Sequence, residues 1–229
     1  MPSGLRLYGH RGLLAAAQSI NGTDFVPFND AIFVKQPGLG GSVAWHQDGV
    51  THWNSPDWDE GIHGFNFQVQ LYPTTPANCL WVIPGTHKQG RIDIKRMVAE
   101  NGGSEQLPGA IPLICAPGDV TIVNRQTLHG SFANTSKDWR VTVNFGFHRR
   151  KSILGVTAGG IHNKAATYDE ARIRERARLI GYAIDARRQR FPDERPFAYQ
   201  PHVREGLSYR WDDKARADIK DYNLLDLSI

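Results

Sequence analysis

Residues 64–73 read GFNFQVQLYP. Phe65, Phe67, Val69 and Leu71 alternate with Asn66, Gln68 and Gln70, a period of two that belongs to a strand and not to a helix. The pattern returns in RVTVNFGFH (140–148), where Val141, Val143, Phe145 and Phe147 share one face. Working outward, AIFVKQ (31–36) is a strand closed by PGLGG, and SVAWHQD follows it. CLWVIPGTH runs into a Pro-Gly turn, and IPLICAPGDVTIVN holds two strands around APGD. About seven short strands punctuated by turns predict a sandwich or barrel of antiparallel strands.

Helical pattern is sparse within this core. One short helix is expected around 12–18 and another over roughly 91–100. After 165 the character changes. TYDEARIRERARLIGYAIDARRQRF places Ala171, Ile173, Ala177, Ile180 and Ile184 close to helical spacing, Pro192 ends the run, and a further short helix fits 212–221. The chain therefore reads as one domain over 1–229, with a β core at about 30–150 and a C-terminal helical extension at about 165–229.

A chain of 229 residues with 40% hydrophobic and 22% charged residues can bury a sizeable core. No apolar run is long enough to span a bilayer, and MPSGLRLYGHRG lacks an apolar signal core, so no membrane association and a cytoplasmic location are expected. Cys79 and Cys115 read as reduced core thiols. The net charge of +4 is concentrated in residues 164–190, where eight basic residues face four acids. With no interleaved aromatics this is a solvated helix face, and no nucleic-acid partner is expected.

Chemistry concentrates in AWHQDGVTHW (44–53). Residues i and i+2 of a strand point the same way with Cα atoms roughly 6.5 Å apart. His46 and Asp48 can therefore converge on one ion while Gln47 points elsewhere. An imidazole and a carboxylate are two thirds of the facial triad that holds non-haem Fe(II). Eighty-three residues on, His129 offers the third ligand, and eleven residues later Arg140 opens the next strand after the turn NTSKD. From there an arginine can reach back into the same cavity and hold a carboxylate in its fork. A salt bridge with Asp138 is the plainer alternative for Arg140.

Taken together, WHQD, NCLWVIPGTHKQG and LHGSFANTSKDWR resemble the phytanoyl-CoA dioxygenase (PhyH) family of Fe(II)/2-oxoglutarate-dependent oxygenases, over roughly 30–150. The resemblance implies a mainly β fold, a double-stranded β-helix (jelly roll) with flanking helices. It implies that His46, Asp48 and His129 ligate iron and are the catalytic centre, that Arg140 binds the distal carboxylate of 2-oxoglutarate, and that Ser131 adds a hydroxyl to the same cosubstrate. Lys35 or Gln36 falls where members supply further cosubstrate contacts. With O2, such an enzyme hydroxylates an unactivated C–H bond of a small organic substrate and releases succinate and CO2; desaturation and ring closure belong to the same chemistry. Asp48 argues for hydroxylation over halogenation, since related halogenases replace that carboxylate with a small residue. Members usually carry a longer N-terminal helical region than the roughly thirty residues here, so the sequence reads as a truncated or compact member.

Two other readings remain in view: a cupin-like metal enzyme of another class, and a non-catalytic binding domain on the same scaffold. Of the remaining candidates, Trp45 is expected in the core, His87 and Asn78 are expected to set turns, and Trp53 and Trp58 are expected to line a loop closing over substrate. His52, His63 and His148 could touch substrate, although lone histidines seldom do. A monomer or homodimer is expected.

Overall fold

The computed structural model describes residues 2–48, 64–158 and 166–219. Eight strands build its core: β1 (Val26–Lys35), β2 (Val43–His46), β3 (Gly64–Gln70), β4 (Trp81–Val82), β5 (Ile111–Pro112), β6 (Val120–Asn124), β7 (His129–Ser131) and β8 (Arg140–His148). They form two four-stranded sheets, ordered β1-β8-β3-β6 and β2-β7-β4-β5, with every pairing antiparallel. Apart from β4 and β5, consecutive strands alternate between the sheets. That connectivity is a double-stranded β-helix, as expected. A two-stranded ribbon, β9 (Thr157–Ala158) with β10 (Ala166–Thr167), lies outside it.

The helices are α1 (Pro2–Tyr8), α2 (Arg11–Asn21), α3 (Ile94–Glu100), α4 (Arg150–Ile153), α5 (Glu170–Arg190), α6 (Gln200–Arg204) and α7 (Asp213–Asp218). The expected helix at 12–18 lies inside α2, but α1 before it was not legible, because a seven-residue helix holding Gly4 carries little periodic signal. The helix expected from 91 starts at 94, where the Asp93 carboxylate accepts from Arg96 N at 3.0 Å. Asp169 caps α5 in the same way, accepting from Arg172 N at 2.8 Å. The first strand starts five residues earlier than AIFVKQ suggests, because an irregularity between Pro27 and Asp30 absorbs the break in alternation.

The apolar face of β3 and β8 lies on the outside of the first sheet, under helices. Phe67, Val69, Val143, Phe145 and Phe147 pack with Leu5 and Tyr8 of α1, Leu13, Leu14 and Ala17 of α2, and Ala177, Ile180 and Ala183 of α5. Edge-on aromatic pairs run through this layer, Tyr8 with Phe145 at 4.9 Å and Phe67 with Phe147 at 5.3 Å between ring centroids. Burying each large side chain contributes roughly 1.5–3 kcal/mol. The approach of α1 to α5 requires Gly9, since a Cβ there would lie 2.2 Å from the Ala183 carbonyl oxygen. The N-terminal helices and the C-terminal extension thus share one apolar layer.

A second layer covers the other sheet. Trp45, Ile83, Leu107 and Leu128 pack with Ile94, Met97 and Val98 of α3, and the Trp45 indole donates to Glu105 O at 2.7 Å. Trp45 is core, as expected. With the helix-covered apolar faces turned outward, the inner faces carry the polar residues of the alternation beside a small apolar cluster of Leu80, Val82 and Val123. Among the described residues no helix is long and apolar enough to cross a membrane.

Candidate metal centre

The register sets His46 opposite His129 on neighbouring strands β2 and β7, with ring centroids 4.2 Å apart. Asp48 lies just beyond β2, and its backbone N–H donates to Arg125 O at 2.9 Å. The carboxylate reaches both imidazoles, Oδ1 at 3.3 Å from His46 Nε2 and Oδ2 at 3.8 Å from His129 Nε2. One ligand atom from each of the three residues lies within 4.8 Å of the other two. Each ring is oriented from behind: His46 Nδ1 meets Ala44 O and His129 Nδ1 meets Thr127 O, both at 2.8 Å. A protonated Nδ1 there leaves Nε2 of both rings as the free donor, the tautomer a metal requires.

Electrostatics favour a ligating state at Asp48 and His129, while His46 is held toward its protonated form and must release that proton to ligate. Burial alone would raise Asp48, but His129, His46 and Arg125 outweigh it and hold the carboxyl well below the usual range. Burial lowers His129. Burial also works to lower His46, but its hydrogen bond to Asp48 prevails and the ring is raised. An ionised carboxylate between two histidines suits a divalent cation.

Asn66 is the site residue that sequence reading passed over. From β3 its Nδ2 donates to Asp48 Oδ2 at 2.7 Å, fixing the carboxylate oxygen nearer His129 and leaving Oδ1 toward His46. It is buried, like Gln68, Gln70, Thr142 and Asn144, which stand in register on the same inner face. The signal was present in GFNFQVQ as the polar half of the alternation.

Arg140 and Lys35 are partners in the β1–β8 register, and both are buried. Arg140 Nε lies 3.4 Å from Thr142 Oγ1, so the side chain leans along β8 toward the ligands. Among the described residues it has no carboxylate partner, and Asp138 makes no ion pair with it. Lys35 Nζ donates to Phe132 O at 2.7 Å and Ser131 O at 3.4 Å. Its burial, and then the Arg140 charge, push it down to about 8. Of the two residues left open, Lys35 lies inside and Gln36 is exposed. Ser131 is buried two residues from His129 and shares its face.

Two neighbouring buried cations without an anion describe a cradle for one, since charge is not buried unpaired without cost. Four polar atoms on the inner face of this sheet, Asn66 Oδ1, Gln68 Oε1, Asn144 Oδ1 and Thr121 Oγ1, are likewise buried without a hydrogen-bond partner. The donor set fits a divalent metal and the cradle fits a small dicarboxylate.

The other candidates divide. Asn78 sets its turn, accepting from Thr75 N at 2.8 Å. In PGTH the tie is made by Thr86 and not by His87: its hydroxyl donates to Ile83 O at 2.6 Å and accepts from Leu128 N at 2.9 Å. His148 is buried against Phe28, with ring centroids 4.3 Å apart. His52, Trp53, Trp58 and His63 lie outside the described residues.

The model of the phytanoyl-CoA dioxygenase (PhyH) family matches residues 8–142, which hold His46, Asp48, His129 and Arg140. Phytanoyl-CoA dioxygenase 1 of Oryza sativa subsp. japonica is 33% identical over 109 residues, covering 44% of this chain and 37% of that protein. Phytanoyl-CoA dioxygenase of Arabidopsis thaliana is 30% identical over 115 residues, covering 46% and 38%. The chain thus spans less than two fifths of the length of these curated relatives. In fold it is similar to EctD from S. alaskensis, whose crystal structure holds 2-oxoglutarate and 5-hydroxyectoine. The TM-score is 0.53 at 22% identity, over 65% of this chain and 53% of that one.

Proposed function

The chain belongs to the phytanoyl-CoA dioxygenase family, and from that premise we propose that it is a non-haem Fe(II)- and 2-oxoglutarate-dependent dioxygenase. It hydroxylates an unactivated C–H bond of a small organic substrate and releases succinate and CO2. The observation that carries this reading is the pairing, inside one jelly roll, of a His-Asp-His cluster with the two buried cations Arg140 and Lys35.

In this reading His46, Asp48 and His129 hold the iron. When bound, the iron together with 2-oxoglutarate and O2 supplies the oxidising chemistry. The chain's own contribution is placement. Backbone carbonyls at Ala44 and Thr127 fix the two rings, and Asn66 fixes the carboxylate. Arg140 takes the distal carboxylate of the cosubstrate in its fork, with Lys35 beside it and the Ser131 hydroxyl on the same face.

The test is anaerobic visible absorption with Fe(II), before and after 2-oxoglutarate. A weak charge-transfer band is expected only with both present, and it should vanish in His129→Ala and in Arg140→Ala. A folded, iron-loaded protein without the band would refute cosubstrate chelation and turn attention to a cupin-like enzyme of another class.

A further inference from the structure

Beside the metal cluster an open cavity of about 500 Å³ is lined by His46, Gln47, Arg91, Ile92, Ile94 and Lys95, with Asp93 at its edge. Arg91 and Lys95 are exposed, and neither makes an ion pair with a carboxylate among the described residues. Asp93 is engaged as the cap of α3, and Arg96 is paired with Glu100 at 2.7 Å. Two cations therefore stand on the cavity wall against one occupied acid.

The wall is built onto the ligand strand. Gln47 lies between His46 and Asp48 in sequence but points to the other face of the sheet. There its Nε2 donates to Gly90 O at 3.1 Å and Gln126 O at 2.7 Å, while its Oε1 accepts from Ile92 N at 3.0 Å. Arg91 is thus held between two residues stitched to the ligand strand. Ile92 and Ile94 pack into the layer around Trp45, which fixes the backbone on both sides of Asp93. The backbone that carries the two cations is consequently tied to the ligand strand.

Resting on the reading of the metal cluster given above, we propose that Arg91 and Lys95 form a substrate subsite for an oxyanion. The substrate is accordingly a small organic acid or phosphate ester, its anionic group held at these two side chains while the carbon to be oxidised lies on the His46 side. Carboxylate and phosphate share the required chemistry, charge-assisted acceptance from an arginine fork and an ammonium. Ile92 and Ile94 supply an apolar edge for the carbon skeleton between the two ends. At an open rim this attraction is screened by salt over roughly 8 Å at physiological ionic strength, so all comparisons are made at one ionic strength.

The experiment titrates inorganic phosphate and, separately, acetate into the protein loaded with Mn(II) and 2-oxoglutarate. Paramagnetic broadening of the phosphorus or carbon resonances reports an anion near the metal, electron paramagnetic resonance reports Mn(II) binding, and calorimetry reports anion binding without metal. At least one anion is expected to broaden, with binding about tenfold weaker in Arg91→Ala/Lys95→Ala. Lys88→Ala/Arg96→Ala, which removes the same charge outside the cavity wall, should bind as wild type. Broadening by phosphate alone assigns a phosphate ester, and by acetate alone an organic acid. If Mn(II) binds but neither anion broadens, or if the broadening ignores the loss of Arg91 and Lys95, the subsite is overturned and the metal reading stands. If Mn(II) does not bind while calorimetric anion binding still depends on Arg91 and Lys95, the subsite stands and the metal reading falls.

Discussion

The two faces of the β1-β8-β3-β6 sheet are built from the same strands and do opposite work. Outward, Phe67, Val69, Val143, Phe145 and Phe147 meet three helices in a dry aromatic layer. Inward, Asn66, Gln68, Gln70, Thr142, Asn144 and Arg140 are equally buried but polar, and several of their atoms lack a protein partner. Burial is therefore no guide to role in this sheet. One face stabilises the fold, and the other holds groups that water or apolar packing would satisfy better, in an arrangement suited to a metal and an anion. Stability and function are separated by the strand's period of two.

That division can be broken most severely from outside. Phe67→Ala opens a cavity in the aromatic layer and is expected to cost about 3–5 kcal/mol in urea unfolding, with the metal affinity of the remaining folded protein unchanged. A matching loss of metal affinity would show that the two faces are coupled. From inside, Asn66→Ala frees one oxygen of Asp48 and should weaken Fe(II) or Ni(II) binding by about 10–100-fold in a chelator competition, with the melting temperature of the metal-free protein nearly unmoved. An unchanged metal affinity would remove Asn66 from the site.

A pH series sharpens the comparison further. The cradle binds an anion best with Lys35 protonated, and Lys35 in the metal- and ligand-free fold sits near 8. Affinity for 2-oxoglutarate should be level below that pH and fall above it, by up to about tenfold per pH unit, and Lys35→Met should flatten the fall. Stability moves the other way. An unfolded chain with lysine at its ordinary 10.5 binds more protons than the fold between pH 8 and 10.5, so Lys35's contribution makes the fold more stable as pH rises through that window. The smallest effect is expected of Gln68→Leu. It removes the buried, unpartnered Oε1 and should raise stability by about 1 kcal/mol, measured by urea midpoint, while 2-oxoglutarate binds less well.

The alternation in GFNFQVQ and RVTVNFGF made the sheet legible, and H-x-D followed by a distant histidine and an arginine at plus eleven made the cluster legible. Which side of the sheet is the core was not legible. An apolar face looks the same whether it lines a barrel or carries helices, and only the outer layer of α1, α2 and α5 decides it. Asn66 was obscured for the same reason, since a polar residue on a strand is normally read as solvent-facing until the space between the sheets is known to hold a polar site, while Lys35 was legible only as one of two alternatives with Gln36. Gln47 was read correctly as pointing away from the ion. Its grip on Gly90 and Ile92 depends on a return of the chain some forty residues later, which no local pattern carries.

Lys35 and Arg140 are also neighbours that the chain brings together from positions 105 residues apart, on the β1–β8 pairing that closes the first sheet. Pairings of that separation are slow, because the entropy of closing the loop is lost before the contacts reward it. The anion cradle therefore comes into being with the longest-range strand pairing of the two sheets. Hairpins and helices that form early cannot assemble it. An emerging or partly unfolded chain exposes the H-x-D segment to metal ions, but the cationic pair that completes the site arises only when the first and last strands of the β core have met.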